Sequence, residues 1–222
     1  SRVVFPDYGG GMAWPNVYVL LIAPSGFYRK STSIAIAERL VRAVDPTLIL
    51  QQDPTREALV KVLQGQPTLF YPLSEFSASL AMWHKEYMAG YKEMITDLYD
   101  PHLEYHRITL KEGRIIIKKP ALTILAASTL DWLREKLTDG DLRGGLMGRF
   151  LLIPGIEKEP DKGLNLTPDT AAQNSLTARL KRIHTMLPVA AVIGKDSLEY
   201  FNQWSHALER KIEKQTPDLM GF

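Results

Sequence analysis

The chain has 222 residues, 45% hydrophobic and 23% charged, with a net charge of +2 and no cysteine. That length suits one α/β domain with a small appendage and a sizeable core. Lack of cysteine excludes disulfides and thiolate metal sites and fits a reducing cytoplasm. The near-neutral balance excludes a uniformly basic surface, so any nucleic-acid patch must be local. The longest apolar run, Val17 to Ala23, is too short to span a bilayer, and no secretory signal pattern is visible.

Residues 1–16 are rich in Gly and Pro and read as an extended arm. Val17 to Ala23 is a continuous apolar, partly β-branched run, the mark of a parallel strand covered on both faces. Pro24, Ser25 and Gly26 break it. From Ser31 to Ala43 apolar residues recur mostly at helical spacing, with Glu38, Arg39 and Arg42 on the other face. Thr47–Leu50 reads as a short strand, Thr55–Gln64 as a helix capped by Thr55, and Thr68–Leu73 as a strand in which Pro72 restricts pairing. Ser77 to about Tyr99 reads as one long helix with Trp83, Tyr87 and Tyr91 as a core-facing stripe. Tyr105–Leu110 and Arg114–Ile117 flank Lys111-Glu112-Gly113 as a hairpin. Ala121–Ala127 is a buried strand, Thr129–Leu137 a helix and Arg149–Ile153 a strand. Glu157–Pro168 is a polar linker before two amphipathic helices, Thr170–Met186 and Asp196–Lys214, the second with Tyr200 and Trp204 facing a core. None of the five histidines pairs with another as metal ligands on one helix.

Alternating strands and helices predict an α/β layered fold, divided as an arm (1–16), a core (17–156) and a linker with C-terminal helices (157–222). Ligands in such folds sit at the carboxyl ends of strands, and for the first long strand that is the loop Ser25-Gly26-Phe27-Tyr28-Arg29-Lys30-Ser31-Thr32. A strand, a glycine-containing loop, Lys30 and a hydroxyl pair at a helix start are what a phosphate needs: amides and a dipole for the anion, a lysine for the β and γ phosphates, and the Ser31 hydroxyl for Mg²⁺. Arg29 departs from the usual pattern, which has glycine before the lysine. The plain alternative is a strand-to-helix turn with an incidental Lys-Ser-Thr.

Leu69 to Glu75 has the shape of the second element, an apolar strand ending in acid, with Glu75 in the position of the base that activates water. Ser74 stands where an aspartate usually supports the metal, a second departure. Otherwise Glu75 is a helix-terminal acid, with Ser74 or Ser77 capping the next helix. Ser128 and Thr129 end the next strand as candidate γ-phosphate sensors, or as a helix cap. Arg149, after Gly144, Gly145 and Gly148, is a candidate finger arginine, with Arg143 as the other choice. The hairpin carries Arg107, Lys111, Arg114, Lys118 and Lys119, a local basic cluster able to track a phosphate backbone, or lysines that guard an edge strand.

On the segments Ser25–Thr32, Leu73-Ser74-Glu75-Phe76, Leu122–Thr129 and Gly145–Phe150, the chain resembles a P-loop NTPase family of primase–helicase-like proteins, of unknown function, carried by phages, plasmids and mobile elements. The order of these segments also resembles that of AAA+ and RecA-like replicative helicases. The resemblance implies a P-loop NTPase three-layer sandwich with a mostly parallel central sheet, an inserted β-hairpin that grips DNA, and C-terminal helices. It further implies ATP and Mg²⁺, a homo-oligomeric ring such as a hexamer, and single-stranded or forked DNA as partner. The function expected is an ATP-dependent, helicase-like motor in replication of a phage or mobile element. Arg29 and Ser74 motivate a second expectation, a nucleotide-binding but weakly hydrolysing protein with a structural or loading role. A small-molecule kinase is the third, disfavoured because no arginine-rich lid segment is present. The Met220-Gly221-Phe222 end reads as a cut through a longer chain, with a primase or other domain expected beyond it.

Overall fold

A computed structural model describes residues 3–6, 12–26, 28–51, 53–109, 113–155, 169–186, 189–190 and 193–215. In chain order the elements are β1 (Val3–Pro6), β2 (Met12–Ala13), β3 (Tyr18–Ile22), α1 (Lys30–Val44), α2 (Arg56–Gly65), β4 (Thr68–Leu73), α3 (Phe76–Trp83), α4 (Tyr91–Asp97), β5 (Glu104–Thr109), β6 (Gly113–Lys118), β7 (Ala121–Ser128), α5 (Leu130–Lys136), α6 (Asp139–Arg143), β8 (Phe150–Pro154), α7 (Thr170–Thr185), β9 (Val189–Ala190) and α8 (Lys195–Gln215). The predicted linker over 157–168 lies outside the described residues.

The central sheet is parallel throughout, in the order β4-β7-β3-β8. It is an α/β layered sheet flanked by helices, as the alternation predicts. Its two faces are unequal. Leu69, Tyr71 and Leu73 of β4, Leu122, Ile124 and Ala126 of β7, and Tyr18 and Leu20 of β3 point into one continuous core with α2, α3, α4 and α5. The other face carries α1, against which α7 packs. Of α1 only Ile34 is buried, so β3 is not sealed equally on both sides as its apolar run suggests. Phe150 of β8 is buried, whereas Leu151, Leu152 and Ile153 are exposed on this edge strand.

The Pro72 restriction has a geometric explanation. The Leu50 amide donates to the Phe70 carbonyl at 2.9 Å, so Phe70 aims its backbone groups at the outer side of β4. Two residues on, Pro72 aims the same way, and its missing N–H falls beyond that bond, where no ladder needs it. The strand expected over Thr47–Leu50 reduces to this contact. Asp45 accepts from the Thr47 amide at 2.9 Å and hydroxyl at 2.7 Å and turns Pro46–Leu48 into a 3₁₀ helix, leaving Ile49 a single parallel bridge to Phe70.

The long helix expected over 77–99 is two helices. Between α3 and α4 lie a 3₁₀ turn, Glu86–Met88, and Gly90 at φ 77°. The left-handed φ favours glycine here, and a Cβ would in addition meet the Arg56 guanidinium at 2.5 Å, which would have to shift. The break brings Trp83 and Tyr91 together in the core, ring centroids 5.3 Å apart, and turns Tyr87 out to 64% exposure. The stripe therefore holds for two of its three residues.

Asp141 closes this region. Its side chain is fully buried and accepts from Lys92 Nζ at 2.6 Å, the Thr138 hydroxyl at 2.8 Å and the Thr138 amide at 2.9 Å, with His84 Nε2 at 2.9 Å. Thr138 and Asp141 form a capping box on α6. Burial pushes this carboxyl up, but the bonds from Lys92, Thr138 and His84 outweigh it and hold it at about 2, against an ordinary 3.8. A folded-state value below the unfolded one means that the stability is fully present above about pH 4 and is lost as pH falls toward 2. Asp141→Ala is expected to lower stability at pH 7 by about 3 kcal/mol, the low end for an orphaned buried partner, because Lys92 and His84 keep some solvent. Urea unfolding at pH 7 and pH 3 checks this: the gap between variant and parent should be smaller at pH 3.

The arm pairs with the C-terminal region rather than lying free: β1 is antiparallel to β2 and parallel to β9. Trp14 and Asn16 are buried, and the Asn16 amide donates to the Tyr99 carbonyl at 3.1 Å. On α8 the core-facing expectation fails. Tyr200 is 72% and Trp204 51% exposed, since period alone reports that a face is apolar and not what covers it. Among the described residues no helix is long and apolar enough to cross a membrane.

Candidate functional site

Three segments far apart in sequence meet at the carboxyl end of the sheet. A cleft of about 320 Å³ is lined by Ser25, Gly26, Arg29, Lys30, Ser31 and Thr32 from the β3–α1 loop, Ser74 and Glu75 after β4, and Ser128 and Thr129 after β7. Strand register explains the meeting. Ile22 lies opposite Ser128 and Leu73 opposite Ala126, so continuing β4 by two residues brings Glu75 level with Ser128. Because β7 separates β3 from β4, loop and acid stand two strand spacings apart, roughly 10 Å, which is room for a phosphoryl group and a water.

The loop carries a left-handed glycine and an uncapped helix start. Gly26 takes φ 74°. Lys30 opens α1, no side chain caps the helix and its first turn holds no acid, so the leading amides and the positive end of the dipole are turned to the cleft. The Lys30 ammonium donates to the carbonyls of Ala23 at 2.5 Å and Pro24 at 3.0 Å, which holds it across the strand end. Arg29 is left-handed, φ 49° and ψ 36°. The position before the lysine therefore demands the conformation that glycine adopts freely and arginine only at a cost of roughly 1 kcal/mol. Phe27 lies outside the described residues. Tyr28 does not line the cleft. Its ring stands over Gly155, where a Cβ would meet it at 2.9 Å.

Glu75 is the N-cap residue of α3 but makes no side-chain capping bond, so the helix-terminal alternative finds no bond to support it. Ser128 is buried, its hydroxyl 2.5 Å from that of Ser77 and 3.2 Å from the Thr129 carbonyl. Thr129 does act as a cap: its hydroxyl accepts from the Trp132 amide at 3.3 Å. Of the two candidate sensors, only Ser128 has its side chain free of helix capping.

Arg149 is not brought to this cleft. It lies in a second one of about 270 Å³, with Lys92, Asp97, Asp100 and Asp141 among its walls. Its guanidinium pairs with Asp100 at 2.7 Å and donates to the Gly145 carbonyl at 3.0 Å, above the Tyr99 ring, 5.9 Å from its centroid. Gly145 takes a left-handed φ of 77°, and a Cβ there would lie 2.7 Å from the guanidinium, which would have to shift. Arg143 sits in the last turn of α6, away from both Lys30 and Glu75.

The hairpin is present as β5 and β6, but its basic residues do not form one cluster. Strand alternation sends Arg107 inward with Ile115 and Ile117, where it pairs with Glu57 of α2 at 2.9 Å. Arg114 and Lys118 are on the outer face. There Arg114 meets His106 Nδ1 at 3.1 Å, and Glu104 stands opposite Lys118. Lys119 is exposed just beyond β6, at φ 50°, and Lys111 lies outside the described residues.

Sequence reasoning missed two polar groups behind the cleft. The Tyr71 hydroxyl donates to Asp53, which also receives the Ser79 hydroxyl at 3.3 Å, and Ser77 supports Ser128. Local spacing marks Ser77 only as a possible helix cap and does not mark Asp53. Among the described residues no group of three or more His, Cys, Asp or Glu is placed to hold a metal. Comparison with family models, with curated proteins and with solved structures finds no match for this chain.

Proposed function

We propose that the cleft binds ATP and hydrolyses it, and that the chain is a helicase-like ATPase working on DNA. The observation that carries the reading is the convergence of Lys30, Ser31, Glu75 and Ser128 in one polar cleft at the carboxyl edge of a parallel sheet. Lys30 and the first amides of α1 would neutralise the β and γ phosphates. Glu75 would take a proton from the attacking water as its oxygen bonds to the γ phosphorus. The bond to the β-γ bridging oxygen then breaks, giving ADP and inorganic phosphate. Only transition-state charge needs stabilising, so positioning does most of the chemistry.

Mg²⁺ fits only in company with the nucleotide. The hydroxyls of Ser31 and Ser74 are neutral ligands, and among the described residues Glu75 is the only carboxylate lining the cleft. Such a set matches an ion that keeps several waters and is held mainly by phosphate oxygens. When bound, it would offset charge on the β and γ oxygens.

For DNA, support comes from the exposed Arg114, Lys118 and Lys119 and from the family resemblance. The ring, in which Arg149 would serve a neighbouring subunit's phosphate, comes from the resemblance alone. A specific observation favours the weakly hydrolysing alternative: Arg29 occupies a left-handed position, and no aspartate accompanies Glu75. Phosphate release with and without single-stranded DNA decides between them. The motor reading expects hydrolysis that DNA stimulates, with stimulation falling in Arg114→Glu/Lys118→Glu and weakening as salt rises. Binding without turnover supports the structural or loading role, and turnover indifferent to DNA sinks the motor.

A further inference from the structure

We propose that Ser77, which does not line the cleft, is a positioning residue that makes Ser128 a hydrogen-bond donor to the terminal phosphate, so that the site discriminates nucleoside triphosphate from diphosphate. The inference rests on the proposed nucleotide cleft and concerns which phosphate is read.

The argument is a proton count. Ser77 is 1% and Ser128 4% exposed, so neither hydroxyl can trade its partner freely for water. Their oxygens are 2.5 Å apart, and Ser128 also donates to the Thr129 carbonyl at 3.2 Å. A hydroxyl has one hydrogen. If Ser128 spends its hydrogen on the carbonyl, the short contact must be Ser77 donating to Ser128. Ser77 then occupies an acceptor position of Ser128 and leaves its hydrogen pointing elsewhere. An incoming phosphate oxygen needs only that hydrogen to swing from the long carbonyl bond into the cleft. Ser77 keeps its own bond throughout, and no buried donor is orphaned.

The placement gives this bond a second consequence. Ser77 lies in the first turn of α3, whose N-cap is Glu75. Ser128 lies opposite Ile22 in β3, and its carbonyl accepts from the Ala23 amide at 3.3 Å, at the root of the phosphate loop. Two hydrogen bonds through Ser128 therefore join the segment carrying the base to the root of the loop, one between its hydroxyl and that of Ser77 and one at its carbonyl from the Ala23 amide.

The test compares affinities for ADP and for a non-hydrolysable ATP analogue in the parent, Ser77→Ala, Ser128→Ala and the double variant, with thermal unfolding of each as a folding control. Ser77→Ala is expected to weaken the analogue about fivefold, the size of one hydrogen bond, and to leave ADP unchanged. The double variant should be no worse than Ser128→Ala alone. Ser77→Cys, similar in shape but a weak donor, should behave like Ser77→Ala. Equal losses for both nucleotides, or additive losses in the double variant, would show a merely structural serine and overturn the proposal. A parent that favours the analogue while Ser77→Ala keeps the same ratio overturns it and leaves the nucleotide cleft standing. A parent that binds neither nucleotide removes both.

Discussion

Lys30→Ala is expected to weaken ATP binding by roughly two orders of magnitude and to bring hydrolysis below detection. Among the described residues Lys30 is the one lysine lining the cleft, and its ammonium is held by the Ala23 and Pro24 carbonyls at the loop's root. Removing one partner of a desolvated charge pair costs 2 to 5 kcal/mol, and loss of a charge aimed at the transition state lowers turnover further. The effect on folding should be small, because the cleft is open and water can replace the ammonium at both carbonyls. Lys30→Arg should not rescue turnover, since a planar fork cannot take the place of a compact ammonium at this strand end. Calorimetric titration and phosphate release check both parts. An alanine variant that binds ATP as the parent does would make the loop an ordinary strand-to-helix turn.

How much of this was legible varies with the range of the interaction. β3, β4, β7 and β8 and the hairpin were readable because each is a run of apolar or β-branched residues bounded by breakers. Their order in the sheet was not, since register arises from pairing between distant segments. The break between α3 and α4 was missed because apolar spacing continues across it. After α3 the chain leaves helical backbone at Lys85, turns through Glu86–Met88, and restarts as α4 from Gly90 in a left-handed conformation. The Asp141 network was half visible: Thr138 and Asp141 have capping-box spacing, but Lys92 and His84 arrive from other helices.

The candidate site shows the same division. The loop, Glu75 and Ser128 were found because each chemistry needs certain residue types at the end of a strand, and the sheet does bring those ends together. Arg107 was misplaced because composition counts charges without facing. One alternation of β5 turns it toward Glu57 while Arg114 and Lys118 point away. In the sequence Ser77 reads only as a possible cap of the next helix; α3 has no side-chain cap, and the fold sets the Ser77 hydroxyl against Ser128 instead. The departures at Arg29 and Ser74, plain in the sequence, gain a physical meaning here. The first is a conformational cost at a left-handed residue. The second, on the proposed reading, would put a neutral metal ligand where a charged one is usual.

Glu75→Gln is the sharpest test of catalysis. The change keeps size but removes the proton-accepting carboxylate together with its charge, so turnover should fall about 10² to 10⁴-fold while ATP affinity holds or rises slightly, one negative charge having left the cleft. Were Glu75 simply a helix-terminal acid, its loss would move stability by a few tenths of a kcal/mol and leave turnover where it was. Single-turnover phosphate release with saturating ATP, alongside the unfolding midpoint, separates the two. The comparison also bears on Ser74. If the parent is already slow, Ser74→Asp should raise turnover by restoring a charged metal ligand, provided that Glu75 is the base. The same substitution in the Glu75→Gln background should then gain nothing, because a better-held metal cannot supply the missing proton acceptor.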